Sequence, residues 1–177
     1  MLPIIQDVLQ DMNLQLERIE RSVRLLDDER LWNKPGPGMN SIGNLCLHLA
    51  GNEYQNFVTG LGGKPLVRER SQEFEAEGGL SGEELVAKLR AVRLDSAAVL
   101  SSLTEPDLDR DIVVPYGEED WKRMKGVTED AGVPKETKNT RLTIIKVATH
   151  YGYHAGQIVL LAKLLDGTGA NLSGSYH

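Results

Sequence analysis

His150 and His154 stand four residues apart in the run TRLTIIKVATHYGYHAGQIVLLAKLL, Thr140 to Leu165. On a helix that spacing stacks two side chains with their Cβ atoms about 6 Å apart, so both imidazoles can reach one ion. A metal site built this way needs a third donor from another element. Two further histidines exist, His48 inside a second helix-like run and His177 at the last residue. His48 is the candidate that merits weighing.

Burying two imidazoles without partners would cost a few kcal/mol, and a shared ion removes that penalty. The competing reading is a polar core pocket in which the histidines bond to Asn and Gln side chains. Three neutral imidazoles would hold one face of a divalent ion and leave a position open, as catalytic sites do and closed four-ligand structural sites do not. Nitrogen donors without thiolates suit zinc or nickel first, with iron, copper and manganese also admitted. In H-E-x-x-H metalloproteases a glutamate beside the first histidine is the general base, whereas Tyr151, Gly152 and Tyr153 lie between this pair. No catalytic base is assigned. Asn44, Asn52 and Gln157 are instead placed to orient the imidazoles or a bound ligand through their amides.

The elements that must position these groups read as helices. Ile5, Leu9, Met12, Leu16, Ile19, Val23 and Leu26 step by four and three, predicting an amphipathic helix from Leu2 to about Asp28. Pro35-Gly36-Pro37-Gly38 stops any helix. Asn40 or Ser41 can cap the next one, SIGNLCLHLAGNEYQNFVTGL, which ends at Gly60, Gly62 and Gly63. At about 100° per residue, Asn44 and Asn52 fall within about 40° of His48, and Ser41, Leu45 and Gln55 share its side. Cys46 points about 160° away, as a packing residue.

Lys64 to Gly79 is charged, lacks a period and reads as a long surface connection. Ser81-Gly-Glu-Glu84 has the capping-box form and opens a third helix carrying Leu85, Leu89, Val92, Ser96, Val99 and Leu103, which ends before Pro106. Between Thr104 and Asn139, Asp111 to Tyr116 reads as a short edge strand held there by Pro115, and Trp121 as an anchor. So long a connection is unusual in a compact domain, and it reads equally as a substrate-covering element or as a tolerated surface insertion. Thr140 onward forms the last helix. On it the histidines share an inward face with Val147, Leu161, Leu164 and Leu165, while Ala148, Gly152, Ala155, Gly156 and Val159 form a small-residue back suited to a dimer interface.

At 177 residues the chain is one domain by length. Scarce aromatics and abundant Leu, Ile, Val and Ala favour an all-α fold. A net charge of −6 argues against nucleic acid or an anionic membrane surface as partner. One cysteine excludes an intramolecular disulfide framework. No apolar run approaches the roughly 20 residues that span a bilayer, so a cytoplasmic protein is expected.

The N-S-I-G-N-L-x-x-H run ending in His48, followed by H-x-x-x-H-x-G-Q as His150, His154, Gly156 and Gln157, resembles the DinB/YfiT-like superfamily. The resemblance covers most of the chain and is weakest over 64–79 and 104–139. It implies a single up-down-down-up four-helix bundle over 1–177 with long loops, homodimerisation, and a divalent metal held by His48, His150 and His154. Relatives include transferases and isomerases that use low-molecular-weight thiols, and an older label for the family is metal-dependent hydrolase. The expected function is a metal-dependent enzyme activating a thiol or water toward a small-molecule substrate. Its alternative is a non-catalytic dimeric metal- or small-ligand-binding stress-response protein.

Overall fold

The computed structural model describes residues 1–129, 132–167 and 169–172, and His177 lies outside them. Four long helices dominate: α1 (Pro3–Arg24), α3 (Ile42–Glu53), α5 (Gly82–Ser101) and α8 (Thr140–Asp166). Short helices α2 (Asp28–Trp32), α4 (Arg70–Glu75), α6 (Glu105–Leu108) and α7 (Glu118–Lys125) fill the connections, with strands β1 (Asp111–Pro115) and β2 (Lys135–Asn139). The chain is mostly helical, as expected, and carries one two-stranded antiparallel sheet in the register Asp111↔Asn139 to Pro115↔Lys135.

The apolar stripe of α1 is buried from Ile5 to Val23 as its spacing predicts. The helix ends earlier than expected because Asp27 starts a new one, its carboxylate accepting from the Arg30 amide at 2.9 Å. Ser41 caps α3 through a box in which the third residue is Asn44, and Ser81 caps α5 with Glu84 as its spacing anticipates. After Glu53 the helix continues with π-type hydrogen bonds from Tyr54 to Leu61. Gly62 then lets the chain pass close to α5, since a Cβ there would sit 2.7 Å from Val99.

Helix α1 packs on α5 and α8, and α3 packs on the same two. One buried ion pair joins all four. The Arg93 guanidinium on α5 donates to both carboxylate oxygens of Glu53 on α3, at 2.7 and 2.9 Å, and to Asn13 on α1 at 3.0 Å. Its charge lies 4.7 Å over the ring of Tyr151 on α8. Breaking such a pair from one side costs more than the pair itself contributes, because a desolvated charge is left behind.

Helix α8 is rotated from its expected orientation. Its core stripe is Ile144, Val147, Tyr151, Ala155, Ile158, Leu161 and Ala162, about 90° round from His150. Leu164, expected inward, is 69% exposed, and Ala155, placed on the outer back, is fully buried. The histidines flank the core stripe and face α3. The outer face does retain the glycines: a Cβ at Gly152 or Gly156 would meet nothing within 4 Å.

The segment from 64 to 79 runs over the surface as its sequence reads, but it carries α4 and sends two charged side chains inward. Its Arg68 and Glu73 side chains are only 5% and 8% exposed, and α4 lies against α3. The β1–β2 hairpin covers the π-helical end of α3, where Gln55 donates to the Pro115 carbonyl at 2.6 Å. Trp121 on α7 is buried as an anchor, 5% exposed. Among the described residues no helix is long and apolar enough to cross a membrane.

Candidate metal centre

His48 leaves α3 toward α8, and His150 and His154 leave α8 toward α3. Each ring presents a nitrogen to the same small volume, and those nitrogens lie within 4.8 Å of one another. The closest approach, between Nε2 of His48 and Nε2 of His150, is 3.0 Å. His150 meets His154 edge to face, with ring centroids 4.5 Å apart and an interplanar angle of 80°. His48 is 5% exposed, and the other two are half-buried.

The outer nitrogens define the tautomers. Nδ1 of His48 lies 2.9 Å from Glu73 Oε2, and Arg68 Nη2 donates to the same oxygen at 2.7 Å. An ionised carboxylate only accepts, so His48 donates from Nδ1 and its Nε2 lone pair faces the cluster. The 3.1 Å separation of Arg68 Nη2 from Nδ1 is the third side of that triangle. Arg68 also donates from Nε to Glu73 Oε1 and from Nη1 to Gln55, both at 2.7 Å. On His154, Nδ1 lies 2.6 Å from Oε1 of Gln157. The ring donates there and turns its other nitrogen inward. Nδ1 of His150 is buried without a hydrogen-bond partner among the described residues.

This arrangement explains the polar strip of α3 differently from its sequence reading. The Asn44 amide faces the incoming segment, donating to the carbonyls of Glu73 at 2.9 Å and Ala76 at 2.7 Å. Its oxygen accepts from the Ser41 backbone at 3.1 Å. Asn44 thus holds Glu73 in place and makes no bond to an imidazole. From the other end, Asp120 on α7 caps α4, accepting from the amides of Arg70 at 2.7 Å and Ser71 at 3.1 Å. Phe74 then covers His48 at a centroid distance of 4.8 Å. Asn52 lines a recess beside His150, and Gln157 contacts His154.

Sequence reasoning missed Arg68 and Glu73. A faint signal was Gly51, three residues after His48 on the same face. A Cβ there would meet Glu73 Oε1 at 2.0 Å and Arg68 Nε at 2.9 Å, so only glycine lets the pair reach His48.

The electrostatics keep the two histidines of α8 in their ligating form. Burial first, then the repulsion that protonated His48 or His154 would exert and the charges of Arg68 and Arg70, depress His150 to about 3. Burial likewise lowers His154, against the bond to Gln157. Both rings are therefore neutral near pH 7. Burial pushes the Cys46 thiol up to about 12, which leaves it a packing group.

The donor set fits a divalent transition ion. Zinc-bound nitrogens lie about 2.0–2.1 Å from the ion and so, in a tetrahedral arrangement, about 3.3 Å from each other. The 3.0 Å contact is slightly tighter than that, and the widest spacing, up to 4.8 Å, is looser. The rings are gathered, and small rotations would bring them to ligating distances.

A mostly helical protein that converges three histidines from two of its long helices defines the class. Residues 12–158 match the model of the DinB superfamily, and the chain belongs to that superfamily. Among solved structures it is similar to a DinB-like protein from Bacillus cereus, at 17% identity and a TM-score of 0.64 with 97% of each chain covered. A conserved protein from Enterococcus faecalis is similar at 14% identity and a TM-score of 0.70, covering 95% of this chain and 100% of that one. No curated protein matches the sequence.

Proposed function

We propose that the protein is a metal-dependent enzyme in which His48, His150 and His154 hold a divalent ion, zinc or nickel first, and that it transfers a low-molecular-weight thiol or hydrolyses a small substrate. The observation that carries this reading is the inward convergence of three imidazoles whose outer nitrogens are oriented at two of the three positions. A bound ion would supply Lewis acidity, lowering the pKa of an incoming thiol or water. The remaining work falls to the chain. Glu73 and Gln157 orient two rings, and Phe74 screens His48 from solvent.

Glu73 is engaged by Arg68 and His48 and is not placed to act as a base. This supports a thiol or water activated by the ion alone. The four long helices are read as up-down-down-up. Met1 beside Ser101 and Glu20 paired with Arg90 support opposed α1 and α5. Gly62 against Val99 and Glu53 on Arg93 support parallel α3 and α5. Leu45 beside Leu161, with Asn52 beside Val147, supports opposed α3 and α8. A homodimer through the outer face of α8 and a cytoplasmic location belong to the same reading.

The test is elemental analysis of protein purified without added metal and then loaded, followed by thiol-plus-electrophile and ester panels. One ion per chain is expected, and His48→Ala should lose it while far-UV helicity stays near wild type. Failure to take up stoichiometric metal refutes the reading. Metal without turnover on any panel supports the non-catalytic binding module instead.

A further inference from the structure

His150 opens on a recess of about 190 Å³ between α3, α8 and β2. That is below the roughly 300–1,000 Å³ of sites that enclose whole ligands, so it suits one group of a larger molecule. Apart from Val147 its lining side chains are polar, and none is a carboxylate. Two are cationic. Lys146 lies one turn before His150, exposed, and makes no ion pair among the described residues.

Lys138 comes from β2 and is held in position. Its ammonium donates to the Tyr116 hydroxyl at 2.8 Å and lies 3.1 Å from Glu136 Oε2, which also accepts from Tyr116 at 2.7 Å. An ammonium has three donors, so one is left for a ligand. With Glu136 counted, the two lysines leave a net single positive charge at the recess. Across from them stand Asn52 on α3 and Asn56 on its π-helical continuation. Asn56 already donates once to the Asn52 carbonyl at 2.8 Å, whereas Asn52 turns an unengaged amide to the recess.

We infer that this recess binds the carboxylate of the substrate or co-substrate, with Lys146 and Lys138 as its cations, and places the reacting atom at the histidine cluster. This rests on the proposed metal-dependent function and deepens it: the ligand is a small organic acid, with its carboxylate a few bonds from the thiol or electrophilic carbon. The hairpin, bringing Lys138 and the Tyr116 that steadies it, is then the specificity element of the site.

The probes are 3-mercaptopropionate, its neutral amide and inorganic phosphate, titrated into nickel-loaded protein by calorimetry and into metal-free protein by amide NMR. Wild-type loaded protein should bind the acid about fivefold or more tightly than the amide, the range expected for a charge-assisted contact near the surface. Lys146→Gln should bring the two within about twofold, and Lys146→Arg should restore the difference. In metal-free protein the acid should shift the resonances of Asn52, Asn56 and Thr143. Equal affinity for acid and amide in wild type overturns the inference, as does a difference that survives in both Lys146→Gln and Lys138→Gln. In metal-free protein, tighter binding of phosphate than of the acid overturns the carboxylate assignment. Should nickel fail to load, the metal-dependent function falls, and the metal-free titration alone still decides the recess.

Discussion

Replacing Gly51 with alanine sets two effects of opposite sign against each other. Inside a helix the change should stabilise by about 1 kcal/mol through backbone entropy. Against it stands the new Cβ, 2.0 Å from Glu73 Oε1, 2.9 Å from Arg68 Nε and 3.0 Å from Glu73 Cδ. These are ends of flexible side chains, which at a surface would swing aside. Here they are locked: Glu73 Oε1 accepts from Arg68 Nε at 2.7 Å, and Oε2 from Arg68 Nη2 at 2.7 Å and His48 at 2.9 Å. Displacing the carboxylate loses at least one bond to a buried charged group, each worth about 1.5–3 kcal/mol. The expected balance is a net loss of about 0.5–2 kcal/mol.

Urea unfolding of the metal-free protein measures that balance, and chelator competition measures the second consequence. With the carboxylate moved off Nδ1, His48 loses its oriented tautomer, and metal affinity should fall about 10–100-fold, as when outer partners of ligating histidines are removed. Glu73→Gln should weaken metal binding by a similar factor. In the double variant the two effects should not add, since both act on one contact. An alanine variant stabilised by about 1 kcal/mol with unchanged affinity would refute the reasoning, because the glycine would then not be serving the carboxylate.

Two further outcomes are expected. His150 is held at about 3 when folded, mainly by burial, against about 6.5 when unfolded. Between those values the unfolded chain binds more protons, so this contribution is full above pH 6.5 and is lost as pH falls toward 3. The urea midpoint should drop between pH 7.5 and 5, by less in His150→Gln, and equal drops would contradict the assignment. The outer face of α8 exposes Leu142, Ile145, Leu160 and Leu164, at 48%, 49%, 59% and 69%, around the open glycines Gly152 and Gly156. Light scattering at micromolar concentration should find a dimer, and Leu160→Glu a monomer. A wild-type monomer would count against the interface.

Much of the molecule follows from local spacing alone. Helix stripes, the Ser41 and Ser81 caps, the Pro/Gly stop, the short strand at Asp111 and the His150/His154 pair depend on residues within a turn or two of each other. Such relations survive any choice of global packing. What local spacing leaves open is which side of α8 meets the core, because Leu164 and Ala155 change places on a rotation of about a quarter turn. It also leaves open the fate of Lys64 to Gly79. Arg68 and Glu73, read singly, belong in water, since burying either alone is prohibitive. They enter the interior only as a pair, on the strip made by Asn44, His48 and Gln55 and beside the hydrogen of Gly51. The histidines are written in the sequence. Their orientation is a tertiary property, because the carboxylate that orients His48 becomes buriable only when Arg68, Asn44 and Asp120, distant along the chain, hold its segment together.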